Sequence, residues 1–209
     1  MAGVPAGPVA EADEMVVLVD AADRAVGAAP KLAAHRAGLR HRAHSVFVRD
    51  GAGRMLLQRR ARTKYHSGGL WSNACCGHPR PGEPLDAAAA RRLFEELGLA
   101  CDLEPIGKVA YEARFDGGMS ENEVVTLFCG RWGGPVRPDP AEAEEVAWVA
   151  MDDLLSDVRT RPALYTVWFR KYLTEHLDLL EDGARCAPRR IGRGAGPPGR
   201  AAVTGRSGR

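Results

Sequence analysis

The chain has 209 residues, 45% hydrophobic and 27% charged, which suits one globular domain with a proper core and short appendages. No apolar run approaches the roughly 20 residues that cross a bilayer, and no basic start followed by an apolar stretch opens the chain, so neither a membrane protein nor a secreted one is expected. The formal charge of +2 hides an asymmetry: residues 183–209 carry seven arginines and no acid, and without them 22 basic residues face 27 acidic ones. The overall charge is therefore no nucleic-acid signature.

In chain order, residues 1–13 are rich in Ala, Gly and Pro and read as disordered, residues 14–182 as one domain, and 183–209 as a disordered Arg/Gly/Pro-rich tail. Met15–Val19 is a short apolar run suited to a first strand, and Lys31–Ala37 reads as a helix carrying His35. His41 precedes a strand at 44–48, which the turn Asp50-Gly51-Ala52-Gly53 joins to 54–58 as a hairpin. Residues 59–67 form a basic loop with Arg59, Arg60, Arg62 and Lys64. Strands are expected at 104–113, 124–129 and 146–149, the second being strongly β-prone. A helix opens at 151–155, Arg161-Pro162 breaks it, and 163–180 reads as one long helix. Strands in hairpins beside helices make an α+β sandwich with a mixed or antiparallel sheet. Cys75, Cys76, Cys101, Cys129 and Cys186 form no CxxC pair, which suits a reducing, cytoplasmic setting.

The most informative stretch is 70–99, LWSNACCGHPRPGEPLDAAAARRLFEELGL. It begins as a short apolar strand, crosses a turn of Cys76, Gly77, His78 and Pro79, enters a helix at Leu85-Asp86, and stops at Gly98, a left-handed cap. Leu85, Ala89, Leu93 and Leu97 recur every four residues and share a buried stripe. Arg91 and Glu95, and Arg92 and Glu96, are neighbours on other faces. Taken alone they are surface ion pairs of small worth. With Gly77, Glu83 and the Glu95-Glu96-x-Gly98 ending, however, they resemble the Nudix box, a loop and helix that hold divalent metal against a diphosphate. Arg92 stands where the hydrolases of that family carry a glutamate.

A second resemblance is narrower. Asn73, Cys76, Gly77, His78 and Pro79, together with Glu121-Asn122-Glu123, look like the two signatures of type I isopentenyl-diphosphate isomerases, which carry a modified Nudix fold. It extends to Ala33-Ala34-His35, residues 57–64, Tyr111 and Tyr165-Thr166-Val167-Trp168, covering roughly 15–180. The resemblance implies a Nudix-type mixed sheet flanked by helices. The reaction it implies is interconversion of isopentenyl and dimethylallyl diphosphate, through protonation of the alkene to a tertiary carbocation and loss of a proton from the adjacent carbon. Such chemistry requires an acid and a base on opposite sides of the substrate. Cys76 and Glu123 would be that pair, Tyr111 would work with Glu123, and the Trp168 indole would face the cation. His35, His41, His78, Glu121 and Glu123 would ligate one Mn²⁺, or Mg²⁺ or Zn²⁺; two carboxylates two apart on a strand edge point the same way and are costly together unless a cation or a proton sits between them. Arg60, Lys64 and Arg92 would grip the diphosphate, and Glu96 would hold a Mg²⁺ bridging to it. No flavin is implied.

His44, His66 and His176 read as ordinary core or surface histidines. The expected partner is a small-molecule diphosphate, with no nucleic acid, no membrane and a monomeric chain. Two other functions fit parts of the pattern: a Nudix hydrolase of a nucleoside diphosphate derivative, and a non-catalytic diphosphate-binding module. The first leaves Cys76, the Glu121-Asn122-Glu123 run and Trp168 without roles.

Overall fold

The computed structural model describes residues 14–115 and 118–181; the expectations for 1–13 and for the Arg-rich tail lie outside them. Strands β1 (Met15–Val19) and β2 (Ala25–Pro30) form an antiparallel pair, followed by helix α1 (Lys31–Ala37) and strand β3 (His41–Arg49). Then come β4 (Met55–Arg60), the short β5 (Trp71–Asn73) and β6 (Cys75–Gly77), and helix α2 (Leu85–Leu97). The long hairpin β7 (Leu103–Arg114) and β8 (Ser120–Arg131) leads to β9 (Ala143–Val149), and helices α3 (Met151–Thr160), α4 (Val167–Glu175) and α5 (Leu177–Glu181) close the described chain. This is the expected mixed sheet flanked by helices.

Strand β3 organises the sheet. One edge runs parallel to β8 for its whole length, from His41 beside Glu123 to Arg49 beside Arg131. The other edge meets β1 at His41, β6 over His44–Val46 and β4 at Arg49. Side chains alternate along a strand, so the two faces have separate cores. Ala43, Phe47, Val125 and Leu127 pack with Leu154, Trp168, Phe169 and Tyr172 from the C-terminal helices. Val46, Val48 and Phe128 pack with Ala89, Leu93 and Leu97 of α2. Helix α2 has the boundaries its apolar stripe announces, ending where Gly98 turns left-handed at φ 62°.

Four local expectations are corrected. The β3–β4 hairpin holds only at Arg49 and Met55; beyond it β4 leaves to pair with β5 and β9, because β8 and β6 occupy the edges of β3. Cys76 and Gly77 lie in strand β6, not in a turn, paired with Ser45 and His44. Glu123 is not on a sheet edge, since His41 and Tyr111 flank it; Glu121 lies past the start of β3 and pairs only with Ala113 of β7. The helix read at 163–180 is three pieces: a 3-10 turn at Pro162–Leu164, then α4 and α5. Tyr165 bridges to Trp71, and the Thr166 amide donates to the Trp71 carbonyl at 2.9 Å, which holds that link extended. Cys75, Cys76 and Cys101 are free thiols.

Gly98 has little room to change: a Cβ there would stand 2.9 Å from the Arg137 carbonyl, on a backbone that L residues rarely adopt. Gly98→Ala is expected to destabilise the chain by about 1–3 kcal/mol, read as a lowered urea midpoint with an unchanged slope.

Candidate active site

The candidate side chains gather around one cavity that reaches both faces of the sheet. On the α4 face, Cys76 sits on β6 on one flank of β3, and Glu123 on β8 on the other; strands that flank a common neighbour lie about 10 Å apart. Cys76, Tyr111, Glu121, Glu123 and Trp168 all line the cavity, and Arg60, Lys64, Arg92 and Glu96 line it too. Every sequence-predicted site residue lines this cavity except His41, which is fully buried and joins the group through its contact with Glu123.

Cys76 Sγ donates to Asn73 Oδ1 at 3.2 Å and lies 3.3 Å from Ser45 Oγ, itself 3.1 Å from the Tyr172 hydroxyl. Burial outweighs these contacts and pushes the thiol up to about 12, so it is protonated at neutral pH. Cys75 faces the opposite core, fully buried, with its thiol also raised by burial.

Across β3, the Tyr111 hydroxyl stands 2.5 Å from Glu121 Oε2 and 2.8 Å from Glu123 Oε2. Burial raises both carboxyls, but for Glu123 the neighbouring His41 and His78 rings outweigh it and hold the group well below the usual carboxylate range. Glu121, buried beside that charge, is pushed up to about 8. His78 Nε2 lies 2.9 Å and His41 Nε2 3.3 Å from Glu123 Oε1.

Of the five predicted ligands, His35, His41, His78 and Glu123 present ligand atoms within 4.8 Å of one another, whereas Glu121 groups with His35 and His66. The donor set fits a divalent ion. His41 Nδ1 must donate to the Leu39 carbonyl at 2.8 Å, which leaves its Nε2 lone pair inward. His35 Nδ1 pairs with the Tyr65 hydroxyl at 3.1 Å. His35 Nε2 and His41 Nε2 are buried without a hydrogen-bond partner among the described residues. Burial lowers His35 to about 2 and lowers His78 as well, so both rings are neutral, the form that binds metal.

At the other end, Arg92 is already engaged. Its guanidinium reaches Glu95 at 2.8 Å, Glu96 at 2.8 Å and Glu142 at 3.2 Å, and these carboxylates hold its charge firmly against the cost of burial. Lys64 Nζ sits 2.6 Å from Glu142. Glu96 also accepts from Gln58 Nε2 at 2.7 Å. Arg91 grips Glu83 through two bonds of 2.7 and 2.9 Å, tying the loop before α2 to the helix. Trp168 donates from Nε1 to Ser72 at 3.0 Å, and the Arg60 guanidinium lies 5.3 Å from its ring centre.

Two residues that sequence reasoning left outside the site, Glu142 and His66, also line the cavity. Glu142 arrives through β4–β9 pairing, which places Arg60 beside Ala143; no local pattern marks it. His66 lies in the basic loop two residues past Lys64, and a histidine there is the only signal it gives.

A mixed sheet between helices, with a glutamate-bearing loop and helix at the cavity, defines a Nudix protein. Residues 39–173 match the NUDIX domain family, and the fold resembles a MutT protein from Methanosarcina mazei (TM-score 0.56, 21% identity, 68% of this chain and 96% of that one). DR0079 from Deinococcus radiodurans is similar in fold as well (TM-score 0.55, 19% identity, 71% and 90%). Within that class the chain belongs to the isopentenyl-diphosphate Delta-isomerases. It is 51% identical to the isopentenyl-diphosphate Delta-isomerase of Burkholderia multivorans, over 75% of this chain and 89% of that one. It is 44% identical to isopentenyl-diphosphate Delta-isomerase 2 of Aromatoleum aromaticum, over 86% and 96%.

With a thiol near 12, Cys76 should react with iodoacetamide at pH 8 about a hundredfold more slowly than an unperturbed thiol, its scarcer thiolate being partly offset by greater nucleophilicity. Mass spectrometry of the Cys76 peptide over time measures this.

Proposed function

We infer that this chain interconverts isopentenyl diphosphate and dimethylallyl diphosphate, with Cys76 and the Glu123–Tyr111 pair as the two proton-handling groups. The observation that carries the reading is their placement on opposite flanks of β3 around one cavity, the thiol protonated and the carboxylate ionised. An unactivated alkene isomerises this way only if one group delivers a proton to it while another removes one from the neighbouring carbon. The resting chain holds one acid and one base in that arrangement. The reverse reaction uses the same two groups with roles exchanged.

Around them the cavity protects a carbocation. Trp168, buried and fixed by its bond to Ser72, offers an aromatic wall; such a face attracts positive charge. The packed core residues of α4 would help to keep water from trapping the cation as an alcohol.

The diphosphate end has a charge constraint. Arg60, Lys64 and Arg92 face Glu96 and Glu142, which leaves too little positive charge for a diphosphate. A Mg²⁺ held by Glu96 would supply the remainder. Arg92, standing where a hydrolase carries a box glutamate, puts a cation against Glu95 and Glu96 and takes one carboxylate away from the set that would position metal and an attacking water. That favours gripping the diphosphate over cleaving it. In the His/Glu group, Mn²⁺ suits three imidazoles with two carboxylates, and when bound it would supply the positive charge that keeps both carboxylates ionised.

With Mg²⁺ and Mn²⁺ and no flavin, the protein should interconvert the two diphosphates and incorporate deuterium from heavy water. Cys76→Ala and Glu123→Gln should each lower exchange by about 10²- to 10⁴-fold, while Cys75→Ala, which changes the opposite core, should stay within a few-fold of the parent. Release of inorganic phosphate without deuterium uptake would replace this reading with hydrolysis. Chelation should abolish exchange and added metal restore it.

A further inference from the structure

The ligand set taken from the family resemblance has five residues, and the structure supplies a sixth candidate, a histidine two residues past Lys64 to which no role has been given. We propose that His66 is a ligand of the same divalent ion, so that His35, His41, His66, His78, Glu121 and Glu123 surround it with four imidazoles and two carboxylates. The inference rests on the metal centre of the proposed function and extends it.

Distance is the first support. Two ligands about 2.1 Å from one ion and at right angles are about 3 Å apart. His78 and His41 stand 2.9 and 3.3 Å from Glu123 Oε1, and His66 Nε2 stands 3.3 Å from Glu121 Oε1. His66 also shares a cluster with His35 and Glu121 whose ligand atoms lie within 4.8 Å of one another. It provides the companion that Glu121 lacks in the other cluster.

Orientation is the second. His41 has Nδ1 bonded to the Leu39 carbonyl and Nε2 turned inward, and His35 has Nδ1 on Tyr65 and Nε2 inward. His66 repeats the pattern, with Nδ1 3.3 Å from Ser67 Oγ and Nε2 toward Glu121. An outer partner that fixes the tautomer of a ligating ring is the usual companion of a metal histidine.

Rigidity is the third. The His66 ring stacks on Phe115 with centroids 4.7 Å apart and planes 7° off parallel, and meets Trp168 edge-on at 5.7 Å. Its side chain is 7% exposed. Directly after it the chain reverses through Ser67 at φ 53°, and a Cβ on Gly68 would strike the Arg62 carbonyl at 2.7 Å. The loop is closed on itself and holds the ring where it is.

Six protein ligands with two negative charges neutralise a divalent ion and leave no open position for water. Such a centre would hold the catalytic carboxylate in place and could not generate a hydroxide, which suits an isomerase better than a hydrolase.

The test is X-ray absorption at the Mn edge on full-length protein stripped of metal and reloaded with Mn²⁺, paired with chelator-competition affinity. The parent should show four imidazoles in a six-ligand shell. His66→Phe keeps the aromatic stack and should show three, with Mn²⁺ affinity lower by at least about tenfold. His66→Gln retains a hydrogen-bond donor toward Glu121 and should not recover the affinity. Three imidazoles in the parent, or full affinity in the Gln variant, would reduce His66 to a hydrogen-bond partner of Glu121 and overturn the proposal while leaving the five-ligand centre intact. Failure of the parent to bind Mn²⁺ would overturn both.

Discussion

Two carboxyl groups buried within reach of one phenol hydroxyl cannot both be ionised unless positive charge lies between them. Glu121 and Glu123 are in that position, with Tyr111 between them and neutral histidines around them. Much of the surrounding structure serves this requirement. Helix α1 brings His35, the first residue of β3 is His41, β6 delivers His78 just past its end, and the 59–67 loop folds inward with His66. On the proposed reading, such a centre, once filled, would hold Glu123 in one orientation at the cavity wall, as a group that takes or gives a proton at a defined carbon requires.

Strand β3 converts that local constraint into a reaction geometry. Because it is paired on both edges, the groups on its neighbours are held on opposite flanks of the same face: Cys76 through Ser45, and Glu123 through His41. Neither can approach the other without breaking sheet hydrogen bonds. Helix α2, on the opposite face, carries Arg92 and Glu96 to the mouth of the same cavity. On the proposed reading, the alkene and its diphosphate would meet side chains from different layers of the fold.

The similarity to MutT-type folds and the closer kinship with isopentenyl-diphosphate Delta-isomerases are reconciled at Arg92. The loop–helix element is retained, with Glu83 and Arg91 as its brace. One position on its cavity-facing side has become a cation that occupies two of the helix carboxylates. On the proposed reading, the same scaffold offers a diphosphate grip where a hydrolase would need a further carboxylate.

Much of this was legible in the residues themselves. The α2 boundaries, the strand runs, and the cysteine and carboxylate that the cavity brings together follow from periodicity, glycine capping and signature spacing, which are local properties. What the sequence could not carry was which strand edges pair and where loops return. The β3–β4 hairpin parts after one pair, the expected C-terminal helix is broken because Tyr165 and Thr166 are tied to Trp71, and Glu142 reaches Arg92 only through the β4–β9 pairing. His66 beside Glu121 is the plainest case, since the residues are 55 positions apart in the numbering. Local sequence determines the chemistry each segment can offer; long-range pairing, which competes among many partners for the same hydrogen bonds, decides which of those groups meet.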